Sequence, residues 1–229
     1  MPYPQTFVGI QDSVIAKLRL DDTDTNRDLV KDWINQSYAQ VAEETQALQQ
    51  AGVATLTSGS ATYALPDKLI ELKQVVARSE SETLVGPPLE RVSLDTILRW
   101  RSGNGGTSPV TGGVCAYALL GLDQLELWPT PTDAGVIEFY YSYLPDALVN
   151  DGDIAEFQEP WGSKCLEYGA LVQAAEMQAD PLLDRWQQDF QDMKTRFRVH
   201  MTRRGGSVDQ FPVYRSRLYP RNNSADVCY

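Results

Sequence analysis

Residues 160–204 read PWGSKCLEYGALVQAAEMQADPLLDRWQQDFQDMKTRFRVHMTRR. Trp161, Cys165, Tyr168, Val172, Ala175 and Ala179 recur at steps of four and three, and Leu183, Trp186, Phe190, Met193, Phe197 and His200 do the same. That period places each set on one face of an α-helix. Between them stand Asp180 and Pro181. Asp suits an N-cap and Pro the first helical position, so the helix is expected to restart there. Two helices joined so tightly fold back as an αα-hairpin, and the other elements must cover its apolar seam.

Working outward, Thr6 can cap a first helix with Phe7, Ile10, Val14 and Leu18 on one face. Asp21 to Asp24 reads as a turn, and Thr25 with Asp28 resembles a capping box with Asp in place of Glu. The second helix is expected to carry Val30, Ile34, Ser37, Tyr38, Val41 and Leu48 inward until Gly52 ends it. The middle of the chain changes character. Residues 53–57, 61–65 and 69–78 are short and rich in β-branched or apolar side chains, and Pro66-Asp67 breaks the run. Residues 89–92 read as a strand, and Ser93 caps a short helix through Arg101. Strands are expected at 114–120, 124–128 and 136–143, with turn residues between them.

The fold class expected is α+β: a helical bundle of four long helices, at residues 7–19, 26–50, 160–179 and 181–203, with a β-rich insertion and an extended C-terminal tail. By domain, 1–52 is an N-terminal helical hairpin, 53–148 the insertion, 149–204 the C-terminal hairpin and 205–229 a docking tail.

The totals bound the function. A chain of 229 residues can bury a substantial core. No apolar run approaches the ~20 residues of a membrane span, so no membrane partner is expected, and the first residues lack the pattern of a signal peptide, so the chain is expected to be cytosolic when made. Cys115, Cys165 and Cys228 are scattered and odd in number, with neither a disulfide framework nor zinc spacing; buried thiols are expected at Cys115 and Cys165. The net charge of −11 is unevenly placed: residues 194–229 carry eight Lys/Arg against two Asp, +6, and the remainder 12 against 29, −17. Such a split points to a partner for the tail, and the acidic body argues against gripping nucleic acid.

Candidate chemistry is sparse. One histidine, His200, removes most Ser-His-Asp, Cys-His and multi-His schemes and reads as a helix-end cation or packing residue. Residues 102–113, SGNGGTSPVTGG, contain glycines without a Gly-Lys-Ser/Thr or a strand-to-helix setting. Asp151-Gly152-Asp153 with Glu156 and Glu159 lacks the spaced loop of an EF-hand and reads as a turn and helix start. No catalytic residue, cofactor or metal ligand is assigned. Carboxylate pairs of the kind glycoside hydrolysis needs are set by separation in space, and no spacing here selects one.

The tail differs. Phe211, Tyr214, Tyr219 and Tyr229 alternate with Arg215, Arg217 and Arg221, and Pro212 and Pro220 keep the chain extended. Alone it has too little apolar content for a core, while aromatics and arginines are the residues that anchor interfaces. Extended, residues 205–229 reach ~80 Å.

Several features in order resemble the head-to-tail adaptor (head-completion or connector) proteins of tailed bacteriophages. They are Asp32-Trp33-Ile34-Asn35-Gln36-Ser37-Tyr38; Tyr63-Ala64-Leu65-Pro66-Asp67; Leu125-Glu126-Leu127-Trp128-Pro129-Thr130-Pro131; residues 139–145; and Glu159-Pro160-Trp161 with Tyr168-Gly169-Ala170. The resemblance implies a structural virion protein without catalytic residues, made in the host cytoplasm and ending at the head–tail interface. It implies a ring, usually of twelve copies, bound under the portal protein, extending the channel for duplex DNA and offering a platform to tail or nozzle proteins. It also implies a C-terminal segment docked to the portal, which here matches Arg203, Arg204, Phe211, Tyr214, Arg215, Arg217, Tyr219 and Arg221. An acidic body would suit a channel through which DNA slides without sticking. Two other readings stand beside it: a tail-tube or stopper protein of the same particle, and a carboxylate-based cell-wall hydrolase.

Overall fold

The computed structural model describes residues 6–79, 88–103, 113–157 and 160–205, with side chains as far as Met201. The described residues divide into two compact units, one with those up to Leu48 and from Tyr143 to Gly205, the other with Gln49–Ser142.

The described residues of the first unit form four helices: α1 (Phe7–Leu18), α2 (Asp24–Thr45), α4 (Trp161–Gln178) and α5 (Leu183–Gly205). α4 is their hub, since α1, α2 and α5 all pack on it. The sequence shows one apolar face on α4, but Gly162, Cys165, Leu166, Gly169, Ala170, Leu171, Ala174 and Ala175 are all buried. Small residues make this possible. A Cβ at Gly169 would stand 2.6 Å from Ser37 Oγ and 3.1 Å from the Phe190 ring, so α2 and α5 approach α4 where no other residue fits. On α5 the expected period holds: Phe190 and Phe197 are buried, with Leu183, Trp186, Met193 and His200 half-buried beside them. Tyr168 and Trp186, expected in the core with Val172 and Phe190, are half-buried, and their rings lie 6.2 Å apart.

The described residues of the second unit form seven strands and one helix. A three-stranded sheet has the order β1-β7-β3, from β1 (Gln49–Leu56), β7 (Gly135–Tyr143) and β3 (Leu69–Ser79). A four-stranded sheet has the order β2-β6-β5-β4, from β2 (Thr62–Ala64), β6 (Gln124–Trp128), β5 (Ala116–Leu120) and β4 (Glu90–Arg91). β1 runs antiparallel to β7 over its whole length, Gln49 opposite Ser142 and Leu56 opposite Gly135. β5 and β6 form an antiparallel hairpin, and β4 joins β5 in parallel. Helix α3 (Leu94–Ser102), capped by the Ser93 hydroxyl accepting from the Thr96 N–H at 3.2 Å, packs on β5 and buries Ile97. Trp128 and Pro129 are joined by a cis peptide bond.

The α+β class stands, but the bundle of four long helices does not. The described residues hold five helices and two sheets. α1 has only 12 residues, and α3 belongs to the β-rich unit. α2 stops at Thr45, not near Gln50, because Gln46 turns into the left-handed region (φ 50°) with its N–H on the Ala42 carbonyl, and Gln49 already pairs in β1. Gly52, expected as a helix stop, lies inside β1 with the Tyr141 ring 3.2 Å from where a Cβ would be. The cap of α2 is Thr23, whose hydroxyl accepts from the Asn26 N–H at 3.3 Å, and not Thr25. α5 begins at Leu183 after a turn in which the Asp180 carboxylate accepts from the Leu182 N–H at 2.8 Å.

Candidate interaction surfaces

The positive charge that leads into the tail is the first candidate. Lys194 of α5 is buried, its ammonium 2.5 Å from a Glu44 carboxylate oxygen and 4.4 Å from the centre of the Phe190 ring. Arg198 donates to the Glu44 backbone carbonyl at 3.1 Å, and Arg196 lies over Trp161 at 5.8 Å. Burial pushes the Glu44 carboxyl up, but hydrogen bonds from Lys194 and Gln40 hold it below the usual carboxylate range. These three cations therefore fasten α5 to α2 and α4. The docking set narrows to residues further on. Arg203 and Arg204 stand in the last turn of α5, their side chains outside the described residues; Phe211, Tyr214, Arg215, Arg217, Tyr219 and Arg221 lie outside them altogether.

The second cluster is hidden in the sequence because Ser13 stands 154 residues from Glu167. Glu167 of α4 is fully buried. One carboxylate oxygen accepts from the Ser13 hydroxyl at 2.5 Å and meets Lys17 at 2.8 Å, and the other meets Lys164 at 2.5 Å. Lys17 also lies 4.3 Å from the centre of the Tyr168 ring. Burial raises the carboxyl, but the hydrogen bonds from Lys164, Lys17 and Ser13 together outweigh it and hold Glu167 ionised below its ordinary range. A general acid needs the opposite shift. This node clamps α1 to α4.

The acidic turn at Asp151-Gly152-Asp153 is structural as well. Asp153 accepts from the backbone N–H groups of Val149 and Asn150 at 2.8 Å each, which holds its carboxyl low. The carbonyls of Asp153 and Asp151 accept from the Phe7 and Val8 N–H groups, donors that the first turn of α1 leaves without helical partners. Asn35 clamps Leu148 by accepting from its N–H at 2.8 Å and donating to its carbonyl at 3.0 Å. The Tyr38 hydroxyl accepts from the Glu156 N–H at 2.8 Å, and burial pushes it up to about 12. Among the described residues no three His, Cys, Asp or Glu gather as a metal site, and no helix is long and apolar enough to cross a membrane. Cys165 is the buried free thiol expected, pushed up to about 12 by burial. Cys115 is disulfide-bonded, contrary to the free thiol expected.

Two surfaces remain. Gln40, Gln173, Glu176, Asp184, Gln187 and Gln191 line a polar groove of about 600 Å³ along α2, α4 and α5. In the β-rich unit, Glu126 is buried in β6 and paired with Arg101 of α3, and Trp100 stacks near Trp128 at 6.3 Å. Leu122 stands 95% exposed at the tip of the β5–β6 hairpin.

The organised side chains thus describe an α+β protein whose ionic groups hold its own helices and strands together. The family model described as SU10 adaptor protein matches residues 5–211, and the chain belongs to that family. No curated protein matches it. The family is one of structural phage adaptors, so the resemblance to head-to-tail adaptors is borne out, and with it an association with other head and tail components in the virion. The match includes Arg203, Arg204 and Phe211; Tyr214, Arg215, Arg217, Tyr219 and Arg221 lie beyond it.

Proposed function

We propose that this chain is the head-to-tail adaptor of a tailed phage particle, acting by assembly without catalysis. Copies close into a ring, of twelve, under the portal protein; the ring extends the channel for duplex DNA and presents a platform to tail or nozzle proteins. The observation that carries the reading is a family match that runs through both units, from residue 5 to 211. A ring of identical subunits needs heterologous contacts, one face of each copy on a different face of the next. The charge split supports the assignment of ends: a body of −17 suits a channel that repels DNA phosphates, and residues 203–229, with five Arg against two Asp, +3, suit docking on another protein.

Within this proposal the C-terminal residues anchor the ring. Arg203, Arg204, Arg215, Arg217 and Arg221 would pair with carboxylates or carbonyls of the portal, and Phe211, Tyr214 and Tyr219 would fill apolar clefts. Many modest contacts around a ring give firm attachment by avidity. The test is the mass of portal complexes assembled with the purified chain. A ring stoichiometry near twelve per portal is expected; one or two copies per portal would refute the proposal.

A further inference from the structure

Exposed sheet edges invite another strand, and proteins guard them with short strands, charges, prolines or covering segments. The four edges of the two sheets differ in this respect. β2 has three residues and β4 has two, both charged. β3 carries Glu71, Lys73 and Arg78 and is bridged at Val76 by Pro88. β1 is the exception. Its eight residues, QQAGVATL, contain no charge and no proline. One side is fully paired to β7, and among the described residues no strand pairs along its other side. Gln50, Ala51, Val53 and Thr55 are exposed, Val53 at 70%.

The chain itself contains a segment made for such an edge. Residues 213–219, Val-Tyr-Arg-Ser-Arg-Leu-Tyr, lie between Pro212 and Pro220 and hold neither Gly nor Pro. β-Branched and aromatic residues dominate the ends, and the alternation puts Val213, Arg215, Arg217 and Tyr219 on one face and Tyr214, Ser216 and Leu218 on the other. Seven residues at about 3.3 Å each span about 23 Å, close to the length of β1. The flanking prolines stop pairing at both ends.

We propose that the open side of β1 accepts residues 213–219 of this chain as a fourth strand of the β1-β7-β3 sheet. The added strand binds through its backbone, so sequence-neutral hydrogen bonds supply the attachment and the uncharged edge sets no electrostatic barrier. Because the side chains stay on the faces, Arg215 and Arg217 remain together on one of them for a portal partner. The segment lies past the end of the family match at residue 211.

Amide hydrogen exchange on the full-length chain tests it. Every second N–H of an edge strand bonds to its neighbour, and the alternate ones point away. In the natural chain, and in Ser216→Thr, both sets within residues 50–56 are expected to be protected. In Ser216→Pro the added strand is broken, and only the set bonded to β7 should stay slow, while the alternate set exchanges roughly tenfold faster or more. The persistent set reports that the β unit is folded. Protection that survives dilution identifies the strand as intramolecular, and protection lost on dilution identifies a neighbouring copy as donor; either supports the pairing. Alternate amides that exchange fast in the natural chain, or at one rate in all three proteins, overturn it. Ring formation on the portal can persist in that case, so the proposed function fails or stands on its own mass measurement.

Discussion

In the helical unit, charges taken from water meet partners inside the unit: Glu167 has Lys17, Lys164 and Ser13, and Lys194 has Glu44. In the β-rich unit one strand differs: β1 pairs with β7, and among the described residues no second strand pairs with it. The first pattern is what a scaffold needs. A buried ion left alone costs several kcal/mol, so such pairs fix one arrangement of α1, α2, α4 and α5. The second pattern is what the proposed added strand needs. Charge in this protein is thus a poor guide to where it binds, unless each cation is first checked for an internal partner. Lys194, Arg196 and Arg198 look like part of a basic docking end in the sequence, and all three are engaged with the body of the helical unit.

The sharpest way to break this picture is to attack the scaffold at its centre. Phe197 is fully buried, 5.2 Å from the Phe157 ring. Phe197→Ala should destabilise the protein by about 3–5 kcal/mol in denaturant titrations. A loss below about 1 kcal/mol would mean that α5 is not held as described. Glu167→Gln comes next, at about 2–3 kcal/mol. The value is below that of a wholly buried pair because Lys17 and Lys164 keep side-chain exposures of 32% and 26%. Its pH dependence has a definite sign. The folded carboxyl is held below its ordinary value, so its contribution is complete above the unfolded value of about 4.3 and disappears as pH falls through the folded one. Stability of the natural chain should therefore drop more steeply on acidification than that of Glu167→Gln. Equal acid limbs would remove Glu167 from the clamp.

Trp186→Ala separates core from margin. The indole is half-buried and is flanked by Tyr168 and, at 6.0 Å, by Arg185. Removing it should cost about 1–2 kcal/mol, through partial loss of apolar burial and ring contact. A cost as large as that of Phe197→Ala would mean that this end of the α4–α5 pair is as tightly packed as its middle.

Much of the fold was legible because apolar spacing survives tertiary context. The 3.6-residue period of α5 and the strands at 124–128 and 135–143 lie where alternation and turn residues put them. Helix ends were less legible, for a physical reason. α1, α2 and α4 close on Arg19, Gln46 and Ala179 in the left-handed region, where Gly or Asn is the usual signal. Residues 46–50, Gln-Ala-Leu-Gln-Gln, are good helix formers, yet Gln49 and Gln50 are drawn into β1 by pairing with Ser142 and Tyr141, which lie more than 90 residues away. Long range also hid the clamp at Glu167. In α4 that glutamate sits between Leu166 and Tyr168 and has the look of an exposed position. Only the approach of Ser13 and Lys17 from α1 gives it a role. The split into two sheets was likewise invisible, because alternation marks a strand's faces and not its neighbours.

The smallest effect in the series bears on one of those ends. Two threonines compete as the start of α2. Thr25 followed by Asp28 has the look of a capping box, but it is Thr23 that sits in extended backbone, at φ −116° and ψ 154°, with its hydroxyl accepting from the Asn26 N–H. Thr25 already lies within the helix and is exposed. An N-cap serves a donor that the first turn leaves without a partner, so Thr23→Ala should lower stability by about 1 kcal/mol. Thr25→Ala should change it by less than about 0.5 kcal/mol, toward higher stability because alanine is the better helix former. Both sites are exposed, so neither change disturbs packing and the difference between them isolates the cap. Thermal or urea melts of the pair decide it. If Thr25→Ala were the costlier, α2 would begin two residues later in solution, and the Asp21 carbonyl that now accepts from the Asn26 amide at 2.8 Å would have to find another donor.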